Sequence, residues 1–254
     1  MNLYLVRHGQ TEWNLSQLAQ GHTDVHLDEV GLEQAALVGM ELTLVDSNDH
    51  AVRLRIDAEV EPVGAYAAYA VSRLDDASGR WVPHCERDLD GRDVALALPG
   101  RWRDAGAGPF VEDPHDFTLA CTGGSNGKCA RMGYAPGART ADGESLTPYF
   151  EACVRMLRAD YCGDGHPHTE PGVPVELRDR AGRHGHAHAL RMGFEAVWGR
   201  HGAICVRRDH ARASTGQLAA RCPRLADALG ERCREDVLAT REDALFTNRS
   251  PEPS

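Results

Sequence analysis

With 254 residues, 42% of them apolar, the chain is long enough for one large domain or two small ones and can bury a substantial core. Its formal net charge of −10, with no basic stretch standing out, excludes a nucleic-acid binder. No run approaches the ~18 consecutive apolar residues of a membrane span, and no signal-peptide pattern opens the chain, so the sequence as written is expected to stay in the cytoplasm.

Residues 3–6, Leu-Tyr-Leu-Val, form a continuous apolar run of the kind buried on both faces of a parallel sheet. Residues 9–27 are polar and turn-rich. Asp28 can then cap a helix that carries Leu32, Ala35 and Ala36 and ends near Gly39. A strand, a loop and a helix begin an α/β unit without completing one. From about residue 42 the texture changes: ELTLVDSNDHAVRLRIDAEV holds two strand-like runs around Ser47-Asn48-Asp49, a β-hairpin pattern.

Further short strands are predicted at 66–73, 80–85, 94–98, 117–121, 173–178, 194–198 and 203–207. The strongest helix is predicted over 146–161. There Leu146, Tyr149, Phe150, Cys153, Leu157 and Tyr161 recur at helical spacing, with Arg155 and Arg158 on the other side. One or two helices are expected in 214–241, interrupted near Pro223, and a disordered tail over 242–254. Strands in series with helices set apart give an α+β class, mostly antiparallel, preceded by a β-loop-α fragment. The expected organisation is thus 1–38, 39–241 and the tail 242–254.

Eight cysteines, Cys85, Cys121, Cys129, Cys153, Cys162, Cys205, Cys222 and Cys233, all lie after residue 80. An even set confined to one region suggests disulfides, which persist outside the cytosol; the N-terminus points the other way. No CxxC pair occurs, and no metal site is expected. Cys121 and Cys129 bracket a Gly-rich turn, close enough to pair. Cys153 and Cys162 on a continuous helix would be ~13 Å apart, so each should seek another partner. Asp160, Asp164, His166 and His168 crowd the loop after that helix, where a solvated turn is expected rather than a metal site.

LYLVRHGQTEWN at 3–14, with QGHTDVHLDEVGLEQA at 20–35, closely resembles the opening of the histidine phosphatase (phosphoglycerate mutase) superfamily. The resemblance implies His8 as a nucleophile that holds a phosphoryl group covalently. It implies Arg7 as the clamp on the phosphoryl oxygens, and Asn14 and Thr23 as neutral donors to phosphate or substrate. The ligand so implied is a phosphorylated small molecule at His8, with no cofactor. The family pattern also needs a second arginine on a Ser-x-Leu-x-Arg-Ala segment, an acid, and a second histidine.

Where that arginine belongs the chain reads AVRLRIDAEVEP, and alternation puts Arg53 and Arg55 on one face of a hairpin strand. CERDLDG nominates Glu86 as the acid; AVWGRHGAIC nominates His201, and RHGHAHA His184, as the second histidine. Without the second arginine, most transition-state charge stabilisation would be missing, so the opening is expected to be inactive. The alternative is a divergent histidine phosphatase that hydrolyses or transfers a phosphoryl group through phospho-His8.

Residues from about 40 to 230 resemble a different family. FTLACTGGSNGKCARMGY at 117–134, ACVRMLRADYCGDG at 152–165 and GFEAVWGRHGAICV at 193–206 are similar to the bacterial ADYC domain, named for the tetrad Ala159–Cys162. VRLRIDA at 52–58 and ALPGRW at 97–102 extend the resemblance. It implies an extracytoplasmic bacterial protein with no assigned reaction, and it makes Glu86 and His201 parts of that domain. The expectation is a composite chain: a cysteine-rich region of structural or binding role behind an incomplete phosphatase opening, its protein partners unknown.

Overall fold

Apolar residues at every second position make the first sheet. The computed structural model describes residues 41–45, 51–63, 66–104, 107–113, 116–140, 142–169, 172–185, 192–209 and 213–251. The strand and helix expected within residues 1–38, and the turn at Ser47-Asn48-Asp49, lie outside them. The chain forms two units: the first takes in the described residues up to Arg101 and Val111–Arg131, the second Trp102–Phe110 and Met132 onward. The class is α+β with mostly antiparallel strands, as the sequence pattern predicts.

In the first unit β1 (Glu41–Val45) and β2 (Ala51–Val63) form the expected hairpin, in register from Glu41 opposite Arg55 to Val45 opposite Ala51. β3 (Tyr66–Asp75) pairs with β2, with β4 (Arg80–Pro83) and with β5 (Val94–Pro99). A two-residue ribbon, β6 (Arg101–Trp102) with β7 (Phe110–Val111), lies where the chain leaves the first unit and returns to it. β8 (Phe117–Cys121) closes the sheet against β5. Leu54, Ile56, Tyr69, Val71, Cys85 and Ala95 form its buried apolar cluster, and the Cys85–Cys121 disulfide is built into it. The helix α1 (Ser125–Arg131) turns back tightly over the end of β8. A Cβ on Gly127 would come within 2.3 Å of the Cys121 carbonyl oxygen, so the approach requires glycine.

In the second unit α2 (Thr147–Arg158) packs on a four-stranded antiparallel sheet. The sheet is made of β9 (Glu176–Asp179), β10 (Met192–Gly199), β11 (Gly202–Val206) and β12 (Phe246–Pro251), in the order β11-β10-β12-β9. Short helical turns follow β11: α3 (Thr215–Arg221), held by a Ser214–Gln217 capping box, 3-10 turns at Pro223–Leu225 and Gly230–Arg232, and α4 (Val237–Thr240).

Three expectations need correction. The segment 242–254, expected to be a disordered tail, supplies β12, an inner strand bonded on both sides. Its polar composition misleads because its polar groups are paired in the interior: Asn248 accepts from the Trp198 indole at 2.8 Å, and Ser250 is bonded by Arg208. Arg155, assigned to the outer side of its helix, is only 2% exposed. Burial runs almost all the way round α2. Finally, Cys121 bonds Cys85 rather than Cys129, because it ends β8 on the face that carries Cys85.

Candidate functional site

The Ala159–Cys162 tetrad ends α2, and each of its residues has a separate task. Ala159 closes the helix in the left-handed conformation at φ 50°, its N–H donating to the Met156 carbonyl. Asp160 turns inward. One carboxylate oxygen takes a hydrogen bond from Arg155 at 2.7 Å and from the Gly165 N–H at 3.1 Å; the other accepts from the Asp164 N–H at 3.1 Å. Tyr161 stacks on Trp198 and donates its hydroxyl to Glu195 at 2.6 Å. Cys162 is bonded to Cys222.

The buried charges here are satisfied by design of the chain around them. Arg155 also donates to the carbonyls of Arg200, Ala107 and Gly108, and its guanidinium lies over the Trp102 ring. Glu151, on the same helix, accepts from the Phe110 N–H and pairs with Arg200 at 2.8 Å. Burial, and then the neighbouring Glu195 carboxylate, push the Tyr161 phenol well above its ordinary range, so it stays a donor. Tyr134 is held up in the same sense by burial and by its hydrogen bond to Asp179.

The residues nominated from the phosphatase pattern fall as follows. Arg7, His8, Asn14 and Thr23 lie outside the described residues. Glu86 is exposed in the first unit, next to the Cys85 disulfide. In the loop just after it, Asp88 caps the Asp90 and Arg92 N–H groups and is bonded by Arg131, presenting Leu89 fully exposed. In the second unit His184 is half-buried, bonded through Nε2 to the Met132 carbonyl and tilted against Tyr134. Its backbone N–H, like that of Arg183, is capped by Asp179.

His201 is exposed at the tip of the β10–β11 hairpin, where its carbonyl accepts from Arg224. That same carbonyl oxygen would lie 2.0 Å from a Cβ on Gly163, which sits at φ +71° and must be glycine. In the first unit Arg53 pairs with Glu41 and Arg55 with Asp57, and Arg55 lies 4.8 Å from the centre of the Trp81 ring.

All eight cysteines are oxidised. Besides Cys85–Cys121 and Cys162–Cys222, Cys205 pairs with Cys233. Among the described residues no helix is long and apolar enough to cross a membrane, and no three or more His, Cys, Asp or Glu side chains gather as metal ligands. Sequence reasoning missed Glu195 and Arg155 as partners of the tetrad. Glu195 carries the one usable signal, an acid in the middle of an otherwise apolar strand.

Two family models match this chain. The histidine phosphatase superfamily (branch 1) matches residues 3–51. The probable phosphoglycerate mutase GpmB of Yersinia pestis (strain Pestoides F) is 45% identical over 42 residues, 16% of this chain. Its counterpart in Yersinia pseudotuberculosis serotype O:1b (strain IP 31758) matches equally. The chain spans only 20% of the length of these curated relatives. No solved structure matches. The ADYC domain matches residues 34–212, which contain the tetrad, its helix and most of both sheets, and the chain belongs to the ADYC domain family.

Proposed function

We propose that this chain is a disulfide-locked module with a structural or binding role, made for an oxidising compartment outside the cytoplasm, and that its phosphatase-like opening is catalytically idle. The observation that carries the reading is the saturation of the ADYC turn. Arg155, Asp160, Tyr161 and Glu195 are buried and bonded to one another or to backbone, which suits a fixed scaffold rather than proton transfer to a ligand. Oxidation of all eight cysteines supports the compartment. The commitment of Arg53 and Arg55 to Glu41, Asp57 and Trp81 supports the idle opening, since neither stands ready to clamp a phosphoryl group.

A second reading is favoured by the match of residues 3–51: phosphoryl transfer through phospho-His8, with Glu86 as acid and His184 or His201 as the second histidine. A phosphomonoesterase assay on the oxidised full chain separates the two. The first reading expects turnover at background, unchanged in His8→Ala. Turnover that His8→Ala abolishes, with radiolabelled phosphate trapped on His8 of the parent, would establish the second.

A further inference from the structure

Two segments far apart in the sequence face each other across a cleft of about 480 Å³ in the second unit. One wall is the loop after the tetrad, with His166 and His168; the other is α3, with Gln217, Leu218 and Arg221. A cysteine stands at the root of each wall, Cys162 before the loop and Cys222 at the end of the helix, and the two are bonded. We propose that Cys162–Cys222 is a redox latch on this cleft. An external dithiol reduces it ahead of Cys85–Cys121 and Cys205–Cys233, and its opening releases α3 from the loop while both sheets stay folded.

The first argument is reach. Cys205 and Cys233 belong to a buried apolar cluster with Val197 and Leu238, and Cys85 and Cys121 to the cluster of the first sheet. Cys121 keeps some exposure, but α1 folds tightly back over its carbonyl. Cys162 is partly exposed and lies two residues from the exposed Asp164, in a polar loop. Exchange requires a thiolate to reach one sulfur, so access selects this pair.

The second argument is how little else holds α3. Leu218 is the one buried residue among its seven, and a helix of that length does not persist without tertiary ties. Its ion pair to the loop, Arg221 with Asp164 at 3.1 Å, leaves 43% of each side chain in solvent and so contributes little. The capping box and the bonds from Thr215 to Asp209 are local to the helix start. Among the described residues the disulfide is therefore the main tie between the two walls.

The third argument is that the flanking chain is fixed independently. Just beyond Cys222, Arg224 donates to the carbonyls of Tyr161, His201 and Ala203, and Leu225 is fully buried. Before α3, Cys205 is tied to Cys233. The bonds of Asp160 to Arg155 and of Tyr161 to Glu195 do not pass through Cys162. Release is thus a local opening. In the reaction one thiolate of the dithiol attacks Cys162 Sγ, forming a mixed disulfide and expelling the Cys222 thiolate. The second thiol of the reductant then displaces Cys162. The chain gains two electrons and two protons, and the dithiol leaves as a disulfide.

The test is graded reduction of the oxidised full chain with dithiothreitol, read by differential alkylation with mass spectrometry and by hydrogen exchange. Cys162 and Cys222 should be alkylated at the lowest concentrations, with Cys85–Cys121 and Cys205–Cys233 still linked. At that stage exchange in Thr215–Arg221 should rise at least about tenfold, while the amides of β10 stay as protected as before. The double variant Cys162→Ser, Cys222→Ser should show the same fast exchange in α3 without reductant; where it does not fold, graded reduction decides alone. Earlier reduction of either other pair, or reduction of all pairs together, would overturn the latch. So would unchanged exchange in α3 once Cys162 and Cys222 are free, slow exchange there in the folded variant, or loss of β10 protection at the same stage.

Discussion

In the first unit most ion pairs lie at the surface, the buried Asp88 carboxylate under Arg131 being an exception; in the second the central ones lie in the core. Arg53 and Glu41 keep about half of their side chains in solvent, and Arg92–Asp90 is similar. Beneath them the core is the apolar face of alternating strands. The side chains of Arg155 and Asp160, by contrast, are 3% and 2% exposed, and Glu151, Tyr161 and Glu195 are buried as well. The same charged residue types therefore carry different weight. A surface pair is nearly interchangeable with water, whereas a buried partner that loses its mate stays behind uncompensated.

Removing one buried partner gives the largest expected effect. Arg155→Met should destabilise by about 3–5 kcal/mol, because Asp160 is left as a buried charge. Arg53→Met in the first unit should cost less than about 1 kcal/mol. Denaturant midpoints of the two variants measure the contrast directly, and equal shifts would break it. Tyr161→Phe comes next. It keeps the stack on Trp198 and deletes only the hydrogen bond to Glu195, so about 1–3 kcal/mol should be lost in the same measurement.

The smallest effect expected is on pH. Burial depresses the pKa of His84 in the first unit, with Arg73 adding to it, and of His168 in the second. A depressed folded-state pKa means that the unfolded chain takes up the proton first. Stability from these groups is complete above their ordinary value of 6.5 and falls as pH drops below it toward the folded values. Asp164 and Asp243, whose carboxyls are held low, act in a lower window, losing their contribution only below 3.8. The denaturant midpoint should thus decline between pH 7 and pH 5, and decline less in His168→Gln.

The comparison also explains what could be read from the sequence. Strands such as Val94–Pro99 and Phe117–Cys121 were legible because the pleat repeats every two residues and their surroundings are apolar. The helix over Thr147–Arg158 was legible for the same reason at its own period. Arg155 was not, since helical spacing places it opposite the apolar stripe, and only tertiary packing reveals that this side is covered too. β12 was hidden for a related cause. Thr247, Asn248 and Ser250 look like tail residues until β9, β10 and Trp198 supply their partners. The tetrad was recognisable as a word, but its meaning depends on Glu195 and Cys222, which lie elsewhere in the chain.

The central claim is that this is a scaffold locked by oxidation, with its buried polar turn held in place by disulfides. Disulfide mapping by peptide mass spectrometry, on folded protein alkylated before digestion, tests it most directly. The account predicts no alkylated cysteine among the eight and recovery of Cys85–Cys121, Cys162–Cys222 and Cys205–Cys233 as linked peptides. Closing a loop of 60 residues, as Cys162–Cys222 does, should stabilise the oxidised form by about 4 kcal/mol over the reduced one. Folded protein of undiminished stability carrying free Cys162 and Cys222, or carrying different pairs, would contradict it.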